Sequence, residues 1–88
     1  MAEVQSKHGF CAYEFASDYV HIYDLFVYPD SRRKGEARKI LLEAIRRIRE
    51  SGYSGEISIV AYPREGNISK EQLSDFYESL WLSVFSYY

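Results

Sequence analysis

The chain has 88 residues, with 13 acidic against 11 basic side chains and a formal charge of −2; this length suits one domain that buries roughly two thirds or less of its unfolded surface, and the acidic balance argues against the basic face that a sequence-independent grip on nucleic acid needs. Hydrophobic residues make up 47% and aromatic residues 17%, nine of them tyrosine, which excludes a disordered chain and leaves apolar surface for a cofactor or partner to cover. An acidic protein of this kind suits a cationic substrate.

In chain order, Met1 to His8 carries no apolar signal and is expected to be mobile, with no role for His8. Gly9 to Phe15 is rich in strand formers, and Ala16-Ser17-Asp18 forms a hairpin turn into a second strand, Tyr19 to Tyr28, antiparallel to the first. Leu25-Phe26-Val27 is apolar on both sides, the pattern of a central strand covered on both faces, and Pro29-Asp30-Ser31 ends it. From Gly35 the apolar residues Ala37, Ile40, Leu41, Ala44, Ile45 and Ile48 recur at steps of three and four, which predicts an amphipathic helix stopped by Gly52. Its charged face is read as a solvated surface.

Glu56 to Tyr62 is a third strand, halted by Pro63. Strand, helix, strand predicts a right-handed parallel crossover. Ser69-Lys70-Glu71-Gln72 fits a capping box that starts a second helix running to about Leu80, and Leu82 to Tyr88 forms a last strand. The fold class is therefore α/β, or α+β, with a mixed sheet and two main helices in one domain over 1–88. Cys11 is the single cysteine, so no internal disulfide forms, and a buried inert thiol is expected. No Cys and His spacing fits a metal site, and no run reaches the roughly 18 apolar residues of a membrane span; a soluble cytoplasmic protein with no metal, membrane or nucleic-acid partner is expected.

The strand ending at Val27, the basic turn Arg32-Arg33-Lys34-Gly35 and the helix after it place open backbone N–H groups and a positive dipole end beside cationic side chains, which suits a phosphate-bearing ligand. The spacing Arg32-x-x-Gly35-x-Ala37 resembles the pyrophosphate loop of GNAT-superfamily N-acetyltransferases. The strand ending Val60-Ala61-Tyr62 and the segment Asp75-Phe76-Tyr77-Glu78-Ser79-Leu80, similar to that family's Phe-Tyr signature, follow in the right order. Ala61 to Tyr77 further resembles small members of the superfamily that include phage anti-CRISPR acetyltransferases, which modify a lysine. The chain departs from the family pattern in two respects. It has little room before Gly9 for the usual first strand and two helices, which leaves an open acceptor site or one completed by a partner subunit in a homodimer. Trp81 stands where glycine is expected, and core packing is the expected role for its side chain.

The resemblance implies acetyl-CoA as co-substrate and an amine acceptor, protein or small molecule. It implies that Leu25, Phe26 and Val27 run beside the pantetheine arm, with an N–H near Val27 aimed at the thioester oxygen, and that Arg32, Arg33, Lys34, Gly35, Glu36, Ala37 and Arg38 hold the pyrophosphate. Tyr77 is implied as general acid, since a phenol is protonated at neutral pH. His21 stands where related histone acetyltransferases keep a basic glutamate, and Glu14 and Tyr62 are alternatives. Strand alternation puts Asp24 on the face opposite His21. Two other readings stand beside this one: an inactive CoA-binding or interaction module, and a sheet-based RNA-binding module whose stacking aromatics are opposed by the acidic charge.

Overall fold

A computed structural model describes residues 2–16, 18–32, 34–60 and 69–85. Strands β1 (Ala2–Ser6), β2 (Gly9–Phe15) and β3 (Val20–Val27) lead through one 3-10 turn, Pro29–Ser31, to helix α1 (Glu36–Glu50), followed by β4 (Ile57–Val60), α2 (Lys70–Glu78) and β5 (Ser83–Phe85). They form one mixed sheet in the order β1-β2-β3-β4-β5, antiparallel from β1 to β3 and parallel from β3 to β5. Right-handed crossovers place both helices on one face of the sheet. The core agrees: Ile40, Leu41, Ala44 and Ile48 of α1 and Tyr77 of α2 share one buried cluster with the alternate strand residues Val20, Ile22, Ile57 and Ile59. Each fully buried aliphatic there contributes roughly 1.5–3 kcal/mol.

The N-terminal segment is a strand and not a mobile arm. Val4, 3% exposed, sits opposite Cys11 and packs into the core. Its signal in the sequence is only Ala2-x-Val4, an alternation too short to stand out. The third strand ends at Val60, and its continuation through Tyr62 lies outside the described residues, as do Ser17 and the last three residues of the C-terminal strand. The outer face of α1 is solvated as expected, with Glu43 bridging Arg46 and Arg47, and Arg46 reaching Glu50. Those guanidiniums hold the Glu43 carboxyl down at about 2. Cys11 is fully buried, and desolvation, helped by the charge of Asp24, pushes its thiol up to about 12.

Opposite Ala12 and Tyr13, β3 carries one extra residue: Tyr13 pairs with Ile22 and Ala12 with Asp24, so Tyr23 is a bulge. The insertion reverses the facing of every residue that follows. Asp24 therefore shares the face of Ala12, Glu14 and His21, contrary to simple alternation, while Leu25 and Val27 turn toward the core. Leu25, Phe26 and Val27 are each half-buried and not covered on both sides.

Two backbone positions set the ends of this frame. At Gly9 an added Cβ would lie 2.1 Å from the Phe26 carbonyl oxygen and 2.9 Å from the Val27 Cα, so only glycine lets β2 approach the end of β3. After α2 the chain closes in a Schellman turn: Leu82 N–H donates to the Tyr77 carbonyl at 3.3 Å and Trp81 N–H to the Glu78 carbonyl at 3.0 Å. The left-handed residue of that turn is Trp81, at φ 65. Its indole is 91% exposed, not packed in the core.

Trp81→Gly relieves this strain and is expected to raise stability by about 1 kcal/mol, or roughly 4–8 °C in Tm for a domain of this size, in a thermal unfolding scan. Gly9→Ala is expected to lower stability by more than 2 kcal/mol in urea unfolding, because the obstructing atoms are backbone.

Candidate functional site: an open helix start, a strand fork and a polar row

The site begins at the N-terminus of α1. Gly35 caps it at φ 79 and ψ 10, no side chain bonds its first turn, and nothing lies within 4 Å of where a Cβ at Gly35 would stand. The N–H groups that open any α-helix lack intrahelical acceptors. Here, among the described residues, no side-chain cap closes them. α2 contrasts: its start is closed by a capping box in which the Gln72 N–H reaches Ser69 Oγ at 3.1 Å and the Ser69 N–H reaches Gln72 Oε1 at 2.9 Å. Lys34 and Arg38 are exposed beside the α1 opening, Ala37 is half-buried, and Arg33 lies outside the described residues. Arg32 Nε donates to the Val27 carbonyl at 2.9 Å with its guanidinium over the Phe26 ring, so this arginine braces the turn against the end of β3.

His8 is the turn's second brace. The Tyr28 N–H donates to the His8 carbonyl at 2.9 Å, His8 Nδ1 meets Ser31 Oγ at 2.9 Å, and His8 Nε2 faces Glu36 Oε2 at 3.5 Å. The β1–β2 turn thereby holds the end of β3, the 3-10 turn and the first residue of α1 together. Glu36, whose carboxylate would otherwise oppose an anion at the helix start, is directed toward His8 and Lys39. Nothing in the sequence marks His8, because its partners lie 23 and 28 positions away.

Beyond this turn β3 is shared unequally by its two neighbours. Among the described residues β3 pairs with β4 from Val20 to Ile22, opposite Ile57 to Ile59, and stays with β2 as far as Val27, while β4 stays with β5 as far as Val60. The strands fork. Because the Tyr28 N–H points to β2, alternation turns the N–H groups of Val27 and Leu25 the other way, into the fork. The basic turn and Leu25 to Val27 are thus continuous.

At the closed end of the fork a polar row crosses the sheet on the face away from the helices: Glu14 on β2, His21 on β3, Ser58 on β4 and Ser83 on β5 are successive register partners. His21 Nδ1 and Ser58 Oγ are 2.7 Å apart, and Ser58 Oγ lies 3.4 Å from the Val20 carbonyl. The tautomer in which Nδ1 carries the proton and donates to Ser58 Oγ is the one that leaves the Nε2 lone pair free to act as a base. Ser58, only 5% exposed, fixes the ring. It was not singled out in the sequence, although a serine inside Ile57-Ser58-Ile59-Val60 is the trace it leaves. Both residues also line a cavity of about 740 Å³. Glu14 is exposed next to His21, and Tyr62 lies outside the described residues. Tyr77 is buried on α2, 5% exposed, with Phe76 at 5.6 Å between ring centroids. It sits on the helix face of the sheet and His21 on the other, so the two flank the sheet from opposite sides.

Removing the imidazole in His8→Ala is expected to speed amide hydrogen exchange at Ser31 and at 34–38 while exchange at Val20 to Ile22 holds, with a stability loss of about 1 kcal/mol. Uniform acceleration throughout the chain would mean that His8 does not act on the turn specifically.

Against known proteins, a search of curated sequences found no match. Among solved structures, the crystal structure of the anti-CRISPR protein AcrVA5 superposes with a TM-score of 0.72 at 28% identity, covering 89% of this chain and 78% of that one. A family model described as an acetyltransferase (GNAT) domain matches residues 4–80, a span that holds the turn, the fork and Tyr77. The chain belongs to the GNAT acetyltransferase family.

Proposed function

We propose that this protein transfers an acetyl group from acetyl-CoA to a primary amine by direct attack. The observation that carries the reading is the uncapped start of α1 at the mouth of the fork, within a chain of the GNAT family. Backbone N–H groups at 36–38 receive the pyrophosphate, Lys34 and Arg38 add charge, and Gly35 leaves the approach clear. The arm lies along Leu25 to Val27, and from Val27 to His21 the six residue steps span about 20 Å of strand. Acetyl-CoA supplies the thioester that the amine attacks.

Around that thioester the chain provides three things. An N–H facing the fork from Leu25 or Val27 polarises the carbonyl. His21, about four residue steps along β3 from Leu25, receives through a chain of water the proton that the amine nitrogen must lose as the new C–N bond forms. The Tyr77 hydroxyl donates a proton to the sulfur as the C–S bond breaks. Base and acid on opposite faces of the fork are an arrangement a linear group passing between the strands can use. The likeness to an anti-CRISPR protein makes a protein of CRISPR defence the first macromolecular acceptor to try.

Calorimetric titration with acetyl-CoA is expected to show saturable binding that falls at least tenfold in Gly35→Glu, whose carboxylate would stand in front of the helix start. Absence of binding to the unmodified protein would end the reading. Tyr77→Phe is expected to lower kcat about 10²-fold while leaving the KM for acetyl-CoA unchanged; binding without turnover in either protein would mark a CoA-binding module.

A further inference from the structure

The basic turn carries a negative charge beside the helix start that it opens. Glu36 is the first residue of α1, directly after the Gly35 cap. A carboxylate there is drawn to the positive end of the helix, and its tether presents it to that end at high effective concentration, in competition with any incoming anion. The structure places it elsewhere. The Glu36 side chain is only 12% exposed, with Oε2 3.5 Å from His8 Nε2 and Oε1 3.6 Å from Lys39 Nζ. Lys39 is 72% exposed, so that pair holds weakly, whereas the His8 side chain is 34% exposed and its residue is fixed from three directions. The His8 N–H donates to Ser6 Oγ at 3.0 Å, its carbonyl accepts the Tyr28 N–H at 2.9 Å, and Nδ1 meets Ser31 Oγ at 2.9 Å. A ring that accepts from Ser31 at Nδ1 carries its proton on Nε2, toward the carboxylate, and the charged ring carries one there as well.

We infer that His8 is a positioning residue for acetyl-CoA: by holding the Glu36 carboxylate off the axis of α1, it keeps the helix start available to the pyrophosphate that Glu36 would otherwise oppose. The inference rests on the acetyl-transfer reading for the identity of the anion. His8 touches no reacting atom and acts through Glu36. The two nitrogens of its ring divide the work, since Nδ1 braces the 3-10 turn at Ser31 while Nε2 governs the carboxylate. Taking away the second contact and keeping the first therefore weakens anion binding in a turn that still stands, and taking away the carboxylate as well restores it. Loss of a merely structural brace would not be repaired in this way, because Glu36→Gln rebuilds none of the hydrogen bonds at Ser31 and Tyr28.

The test separates the two contacts with His8→Asn, whose side-chain amide can stand in for Nδ1 against Ser31 and is too short to reach Glu36. Its Kd for acetyl-CoA by calorimetry and its KM in turnover are expected to rise about fivefold while kcat holds, and His8→Asn/Glu36→Gln is expected to return both to within about twofold of the unmodified protein. Amide exchange at Ser31 and at 34–38 is expected to hold in both variants; even where it quickens, the rescue by Glu36→Gln decides. An unchanged Kd in His8→Asn, or a raised one that Glu36→Gln does not relieve, would overturn the inference. Absence of acetyl-CoA binding in the unmodified protein would strike the acetyl-transfer reading instead, and a titration with inorganic pyrophosphate, followed by the amide shifts at 34–38, then decides alone: weaker binding in His8→Asn with recovery in the double variant supports the inference, and any other pattern overturns it.

Discussion

The whole arrangement depends on how unequally β3 is shared by its two neighbours. With β2 it pairs along its full length, and with β4, among the described residues, over three, Val20 to Ile22. A strand held on one side and released on the other keeps a fixed position while offering main-chain groups at its free edge, which is otherwise a hazard for small sheets. The full pairing with β2 needs Gly9, since a side chain there would push the strands apart at the point where the phosphate turn begins. A binding edge and a rigid support are thus two sides of one strand.

Electrostatics follow the same division. The two described helices start differently although both belong to parallel crossovers: α2 satisfies its own first turn with Ser69 and Gln72, whereas α1 begins at a left-handed glycine with no side-chain cap. The carboxylate in the first turn of α1, Glu36, is turned aside to His8 and Lys39. At the far end of the sheet the sign reverses, and Asp18, Glu56 and Glu14 surround the His21–Ser58 pair. Groups of opposite sign thus stand at the two ends of β3.

Much of this was legible in the sequence where a local rule governs. The periodicity from Ala37 to Ile48 depends on one helix face, and the capping box at Ser69 on four adjacent residues, so both could be read directly. The order of strand, basic turn, helix and Phe-Tyr segment pointed to the GNAT family, and the structure joins those segments as expected. Features set by distant partners were not legible. The bulge at Tyr23 comes from pairing with β2, and without it Asp24 falls on the wrong face. β1 depends on Cys11 and its neighbours for the burial of Val4, and His8 gains its contacts only once Ser31 and Glu36 are brought to it. Trp81 shows the opposite case: the family pattern marked a glycine position, and the backbone adopts the left-handed geometry despite the residue found there.

Trp81 has a spectroscopic consequence. It is the only tryptophan in the chain, and its indole stands almost wholly in solvent at the joint between α2 and β5. Its emission is that of a hydrated indole in the folded protein as well as in the unfolded one, so intrinsic fluorescence reports little of the core's collapse. The same hydration makes it a sensitive gauge of anything that settles on this end of the molecule. Nine tyrosines elsewhere would feed excitation energy to that one external ring.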